Sequence, residues 1–392
     1  MALSIPESDV DLYADETLAD PFSAYRVLRD TAPVVRLGRH DVFVLSRYET
    51  VSAALTDWPT FTSAQGVAMN EVINAAGRGA SLTTDPPGHD AMRRVLGQPL
   101  NAEALRALGD RVAAEARTLV DDLVERRDFD AVTDLAHHLP ATIVSHLVGL
   151  PEDLRRNMIE LSAAAFDASG PMNERTLKAL QVFKDLGGVG FADIARAALK
   201  PGSWAAQLHE AADRGEIRPD QVAPMMIDYV IPSLDTTIAA IANAVWLFAT
   251  HPDQWDRVRA DPGLIPNAFN EVIRIESPIQ GFSRCVVHDH VVEGAALPAG
   301  ARVLILFGSA NRDERKWGDP DRFDVTRRPL NHVGFGYGVH RCVGANLARL
   351  EIVTLLTALA KRVERFHLRA PQRQLNSFIR GWRTLPVTVT AR

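Results

Sequence analysis

Residues 219–249 constrain this chain more than any other stretch. Apolar side chains recur there at helical spacing through Val222, Met226, Tyr229, Ile238, Ile241, Val245 and Phe248, which predicts one long helix. Inside it stands VIPSLDTTI, Val230 to Ile238. Proline removes one helical hydrogen bond and crowds the carbonyl four residues back, and Asp and Thr have weak helix propensity. The residues therefore predict a kink at Asp228 to Pro232, a real break in the helix with a freed Asp228 carbonyl. Asp-Thr-Thr alone reads as a surface or capping element, yet the apolar flanks deny it solvent.

The rest of the chain reads as mainly α with small β-sheets. VVRL (34–37) and VFVLS (42–46) suggest a hairpin, 102–127 is strongly helical, and strand character returns in RVLILF (302–307) and LPVTVT (385–390). The β-rich part falls mainly at 30–50, 291–307 and 375–391, and the helical part at 85–275 and 344–363. Residues 161–206 are the hardest to place. No Pro-rich or Gly/Ser linker, repeat or low-complexity tract divides the 392 residues, so 1–392 reads as a single domain.

A net charge of -6 argues against a nucleic-acid partner. The acidic N-terminus, MALSIPESDVDLYADETLAD, lacks the basic region of a signal peptide and an apolar span of membrane length. The expectation is a soluble, cytoplasmic protein with no membrane contact. Two cysteines, Cys285 and Cys342, make a disulfide framework improbable and exclude four-cysteine zinc or iron–sulfur sites.

The strongest motif is HVGFGYGVHRCVGANLARLE, His332 to Glu351. Glycines 336 and 338 permit a tight turn with positive φ, Cys342 follows, and a helix begins at about Gly344. The thiol then sits among the free N–H groups of a helix N-terminus, which favour a thiolate. Two readings stand on these residues: a structural cysteine, or an axial ligand to haem iron. The pattern of Phe335, Gly336, Gly338, His340, Cys342, Gly344, Leu347 and Ala348 resembles the haem-binding signature of the cytochromes P-450.

Three further stretches resemble that family in the expected order. EVIR carries Glu271 and Arg274, by spacing alone an exposed i,i+3 pair; in the family it is a buried structural pair joined by a downstream arginine, for which PDRF offers Arg322. DPPGHDAMRR puts His89 and Arg93 on one helix face. That face is either solvated or, by the resemblance, set on the haem propionates with Arg284 and His340, where charge-assisted bonds are strong. Leu100 stands where the family usually has phenylalanine. VIPSLDTTI matches the helix that crosses over the haem, with Asp235 and Thr236 as its acid–alcohol pair and Pro232 and Ser233 where small residues are usual.

The resemblance implies a cytochrome P-450 fold, a long central helix over a buried haem b (iron protoporphyrin IX), and a monooxygenase. Phe335, Gly336 and Gly344 would shape the haem pocket, and Cys342 would ligate and push electron density to the iron. Asp235 and Thr236 would deliver protons for the activation of O2. No flavin or iron–sulfur module is found in the chain, and no G-x-G-x-x-G follows a strand. A separate ferredoxin and an NAD(P)H-dependent ferredoxin reductase are therefore implied. Arg94, Arg341 and Arg349 form either their docking surface or a solvated basic face.

GSANRDERKWGDPD (308–321), ESPIQGF (276–282) and SGPMNER (169–175) are similar to runs of the bacterial P-450s that O-demethylate para-substituted aromatic acids. The expected substrate is small and aromatic, oxidised by hydroxylation or O-demethylation. The alternatives are a terpenoid or other natural product, and a peroxide-driven haem-thiolate enzyme. Expected pocket residues are Asp228, Ile231, Pro232, Phe166, Ser169, Phe282, Ser283 and Arg78. Relatives that hold a carboxylate use serines and a nearby arginine on the central helix, where this chain has Ile227, Asp228 and Ile231. Asp228 either meets a phenolic hydroxyl or cationic amine of the substrate, or is solvated or paired within the protein.

Overall fold

The structure, a computed structural model, describes residues 4–150, 157–186, 194 and 196–392. Of the helical stretch expected over 85–275, residues 151–156, 187–193 and 195 lie outside the described residues, and the second group falls in the hard-to-place 161–206.

Eight helices frame the site: α1 (Gly88–Gly97), α2 (Ala102–Arg126), α3 (Met158–Ala168), α4 (Glu174–Asp185), α5 (Trp204–Asp213), α6 (Val222–Thr250), α7 (Ile265–Glu276) and α8 (Ala345–Arg362). Asn101 starts α2 by accepting from the N–H groups of Glu103 and Ala104, and Asn173 starts α4 by accepting from Thr176. α6 is the axis on which α3, α5, α7 and α8 pack. Every residue from Thr237 to Val245 is buried, as a helix apolar on all sides requires. Residues 219–250 are long and apolar enough to cross a membrane, but 72% of the most apolar window is buried inside the protein, which makes it a core helix.

The break expected at Asp228 to Pro232 is not found: α6 runs unbroken from Val222 to Thr250 with Pro232 inside it. Hydroxyls satisfy the carbonyls around the proline. Ser233 donates to the carbonyls of Tyr229 and Val230, Ser162 of α3 donates to Ile231 at 2.6 Å, and Thr236 donates to Pro232 at 2.6 Å. These hydroxyls hold the carbonyls of residues 229–232, and none of them reaches the Asp228 carbonyl that the proline leaves without its helical N–H.

The strands in chain order are β1 (Glu7–Ser8), β2 (Val34–Leu37), β3 (Val42–Leu45), β4 (Phe61–Thr62), β5 (Asp128–Asp130), β6 (Gly281–Val286), β7 (His290–Val292), β8 (Ala295–Leu297), β9 (Arg302–Leu306), β10 (Val363–Leu368), β11 (Gln372–Leu375), β12 (Arg380–Thr384) and β13 (Pro386–Ala391). The hairpin read from the sequence is β2 with β3, Val34 opposite Leu45. A six-stranded sheet has the order β1-β2-β3-β9-β6-β4, β9 running parallel to β3. β10, β13 and β5 form a second sheet, and β11–β12 and β7–β8 are small ribbons. The ribbon β11–β12 brings residues 376–381 against α6.

α8 buries an acid that the sequence did not single out. Glu351 is 1% exposed, and neither carboxylate oxygen has a hydrogen-bond partner. Burial pushes its pKa up to about 8. The folded chain thus keeps a proton that the unfolded chain loses, and this acid's contribution to stability falls as pH rises from about 4.5 to about 8. Glu351→Gln is expected to melt with wild type at pH 5 and to melt higher at pH 8.5, by about 2–4 °C for each kcal/mol gained. Parallel melting curves at both pH values would sink the idea.

Candidate functional site

The site is built on the loop before α8. Gly336 and Gly338 take φ values of +68° and +67°. At Gly338 a side chain is excluded outright, because a Cβ would lie 2.4 Å from the Leu55 carbonyl oxygen. The Gly336 N–H donates to Val333 and the Cys342 N–H to Phe335, each at 2.8 Å, which closes the loop. No side chain caps α8; instead the N–H groups of Gly344 and Ala345 donate to the Cys342 thiol. The sulfur is accessible although protein surrounds it at depth, which sets it on the wall of an interior space. Burial outweighs the N–H donors and the Arg93 and Arg341 charges, so the thiol pKa is pushed up rather than down. The thiolate expected from the helix N-terminus needs a cation beside the sulfur.

α7 supports the loop from behind. Phe335 packs at 6.0 Å from Phe269, and a Cβ on Gly334 would lie 2.7 Å from Ile273 Cγ2. Glu271 and Arg274 are fully buried and joined by two 2.8 Å bonds, not exposed as spacing alone suggests. The third member is Arg327, whose Nε donates to Glu271 Oε1 at 3.1 Å. Arg322, expected in that role, is instead 60% exposed beside Asp324, and only its backbone carbonyl meets Arg274. The loop turns after Arg322, so the arginine five residues on reaches back.

Four cations and imidazoles gather at one edge of this space. His89 is buried with Nε2 lacking a partner, while Nδ1 lies 3.2 Å from Asp90. Its ring stacks edge-on at 4.6 Å from His340. Burial lowers the pKa of both imidazoles. His340 already has a carboxylate partner, Asp85 Oδ1 at 3.1 Å, which the sequence did not suggest. Arg93 donates to the Arg341 carbonyl. Arg284 is buried, donates to the Ser283 carbonyl at 2.8 Å, and bonds no carboxylate among the described residues. Burial brings its pKa down to about 10.

Across the space, α6 presents an exposed Pro232 and a half-buried Thr236, while Asp235 is 4% exposed with Oδ2 unpartnered. Burial, with Asp167 adding to it, pushes the Asp235 carboxyl up to about 7. Phe166, Ala239, Phe378 and Ile379 form one apolar cluster with Met69, Ile231, Ile279 and Phe282, and Phe282 stacks on Phe378 at 5.6 Å. Phe166, Ile231 and Phe282 were expected there. Ser283 was too, but it faces away: its hydroxyl donates to Ala68 at 2.8 Å and accepts from Arg302. Ser169 turns its hydroxyl back to Ala165.

Asp228 is half-buried and accepts from the Ser81 N–H at 2.8 Å, with the Ser81 hydroxyl also bonding it. Burial pushes its carboxyl up to about 6 against these bonds and the nearby Arg93 charge. The GRGASLTT run thus meets Asp228 through Ser81, while Arg78 is exposed and has no hydrogen bond among the described residues. Arg94 and Arg341 are exposed, whereas Arg349 is held by Asn270 at 2.8 Å and lies over Phe269.

A mostly helical fold with small sheets, a long buried helix and a glycine-turn cysteine at a helix N-terminus together define a haem-thiolate protein. The chain belongs to the cytochrome P-450 family. The family profile "Cytochrome P450" matches residues 263–388. The chain is 38% identical to cytochrome P450 CYP199A2 of Rhodopseudomonas palustris over 98% of its own length and 95% of the relative. It is 30% identical to the β-dihydromenaquinone-9 ω-hydroxylase of Mycobacterium bovis over 98% of its length and 79% of the relative. CYP109E1 of Bacillus megaterium, solved with testosterone, superposes with a TM-score of 0.86 at 25% identity over 96% of this chain and 99% of that one.

Haem b is the cofactor of the family. The residues present fit it: an accessible sulfur among N–H donors, a buried imidazole nitrogen without a partner, and a buried guanidinium bonded to no carboxylate. Sequence reasoning missed Arg327, Asp167, Asp85 and the apolar wall of Met69, Ala239, Phe378 and Ile379. The run SFIRGW, 377–382, was the available signal for the wall, as aromatic and aliphatic residues at a strand turn.

Proposed function

We propose that this cytochrome P-450 monooxygenase oxidises a small aromatic substrate by hydroxylation or O-demethylation, with electrons from a separate ferredoxin and its NAD(P)H-dependent reductase. The observation that carries this reading is the phenylalanine-lined cluster of Phe166, Phe282 and Phe378 with Ile231, which offers ring faces for offset or edge-on packing of an aromatic guest. The similarity to CYP199A2 over nearly the whole chain supports it.

Haem supplies oxygen activation when bound. Cys342 would hold the haem iron through its sulfur, cradled by the Gly344 and Ala345 N–H groups, and Phe335 and Gly336 would shape that wall. Arg93 and Arg284 would hold the propionates as cations, with His89 and His340 as hydrogen-bonding partners. Asp235 gains and gives a proton near neutral pH, and the Thr236 hydroxyl, held on the Pro232 carbonyl, orients the delivery. The exposed Arg94 and Arg341 give an acidic ferredoxin a basic face. Asp228 braces the Ser81 turn against α6 and disfavours a carboxylate substituent nearby.

A larger apolar substrate is the second reading, because one relative hydroxylates a menaquinone and one fold neighbour holds testosterone. A spectral titration of the ferric holoprotein with aromatic acids, methoxyphenols, aromatic amines and terpenoids separates them. Aromatic ligands are expected to displace the Soret band; a response to terpenoids or fatty acids alone would end the aromatic reading. Product formation that needs peroxide but neither NAD(P)H nor ferredoxin would make the enzyme peroxide-driven. Asp228→Asn, which keeps an acceptor for the Ser81 N–H, is expected to change aromatic affinity by less than about threefold, under 1 kcal/mol. A tenfold loss confined to amines or phenols would make Asp228 a substrate contact.

A further inference from the structure

We propose that Asn70 and Asn376 are positioning residues that tether the two sides of the substrate wall to the end of α3 and so set which aromatic shapes the site admits; the proposal rests on the cluster of Phe166, Phe282 and Phe378 lining the substrate space.

One side of the wall is Met69, which precedes the short helix Glu71–Ala76. Helix α3 ends at Ala168, and the last carbonyls of a helix have no N–H of their own helix to accept from. Residues 69 and 70 supply the missing donors. The Met69 N–H donates to the Ser169 carbonyl at 2.8 Å, and Asn70 Nδ2 donates to the carbonyls of Ala168 and Gly170, each at 2.7 Å. Asn70 is buried, and its Oδ1 accepts from the Ile73 N–H at 3.0 Å, which starts the short helix. Just before Met69, the Ala68 carbonyl is held by the Ser283 hydroxyl at 2.8 Å.

The other side is Phe378 and Ile379. Asn376 is buried and folds their turn: its Oδ1 accepts from the N–H groups of Phe378 at 3.0 Å and of Ile379 at 2.9 Å. Its Nδ2 donates to the Ala163 carbonyl of α3 at 3.0 Å, and the Ser377 N–H donates to Asp167 Oδ1, also on α3, at 2.8 Å. Gly170 permits this approach, since a Cβ there would lie 2.5 Å from Ser377 Oγ. Each asparagine thus uses its acceptor on its own turn and its donors on α3. A change at either releases a wall residue without removing one.

Packing does not hold the second side by itself. Phe378 and Ile379 also line a cavity of about 30 Å³, closed on the far side by Tyr13, Tyr25 and Leu304. A side chain beside a void lacks contacts there, so the polar tethers fix its position. A wall already fixed loses no freedom when a guest binds, which favours guests that match it. A released wall holds a small ring less well and admits a larger one.

The test uses ferric holoprotein and three probes that ligate haem iron through a ring nitrogen: imidazole and its C-linked phenyl and naphthyl derivatives, each titrated by the Soret shift. Wild type is expected to bind phenylimidazole more tightly than imidazole and to discriminate against naphthylimidazole. Asn376→Ala, and Asn70→Ser, which keeps a helix cap but loses the amide donors, should each weaken phenylimidazole by about fivefold to tenfold, weaken naphthylimidazole less, and leave imidazole within about twofold. Asn376→Asp keeps the acceptor for Phe378 and Ile379, and should recover part of the preference for phenylimidazole that Asn376→Ala loses. A merely structural role would give no such recovery. Phe378→Ala should remove the preference. Wild-type preference in both Asn376→Ala and Asn70→Ser, beside a preference lost in Phe378→Ala, would overturn the tethers and leave the aromatic wall intact. Equal weakening of all three probes would also overturn them, since the damage would then lie at the haem. Wild-type preference in Phe378→Ala would instead overturn the wall on which the proposal rests. If Asn376→Ala binds no haem, Asn70→Ser and Asn376→Asp carry the decision.

Discussion

Glu271→Gln is expected to lower the unfolding free energy by about 3–5 kcal/mol, because it strands the charge of a fully buried arginine. Arg274 keeps its bonds to the carbonyls of Asn311 and Pro320 at 2.8 Å, but these are neutral acceptors. The comparison that decides the third member is Arg327→Ala against Arg322→Ala. Arg327 gives Glu271 a charge-assisted bond and holds the Gly318 and Asp319 carbonyls, so its loss should cost about 1.5–3 kcal/mol. Arg322, exposed and 4.0 Å from its nearest acid, should cost no more than about 0.5 kcal/mol. Urea titrations of the holoprotein measure all three. Equal losses at 322 and 327 would reject the assignment.

Asp235→Asn is expected to lower turnover by about 10²- to 10⁴-fold, the usual worth of a positioned acid or base. At 1.36 kcal/mol per decade that is about 3–5 kcal/mol of barrier. Stability should move the other way. The folded-state pKa of Asp235, about 7, lies above its ordinary value of 3.8, so ionising it opposes folding as pH rises between those values. The variant should therefore be at least as stable as wild type at pH 8, while thermal midpoints at pH 4 should be nearly equal. A variant that loses activity and stability together at pH 8 would point to a structural role.

Much of the site was legible because its parts are local. Two glycines, a cysteine and the first turn of α8 lie within thirteen residues, 336–348, and a positive φ followed by free N–H groups dictates where the sulfur goes. The i,i+4 spacing likewise brought His89 and Arg93 to one face. Asp228 shows the limit. Its place on α6 followed from periodicity, but its partner is an N–H donor 147 residues away. Pro232 shows another: the local rule predicted a break, yet α6 stays helical through it, with hydroxyls from its own helix and from Ser162 holding the carbonyls of residues 229, 231 and 232.

By itself, then, the amino-acid order determined the long apolar helix, the cysteine turn and the family they belong to. Hydrophobic period, glycine φ and helix ends are properties of a few consecutive residues. Tertiary structure alone decided that Arg327 rather than Arg322 reaches Glu271, that Ser283 faces Ala68, and that Asp85 meets His340. The physical reason is reach: a side chain's partner depends on how segments tens to hundreds of residues apart are packed, and the period of either segment carries no information about the other.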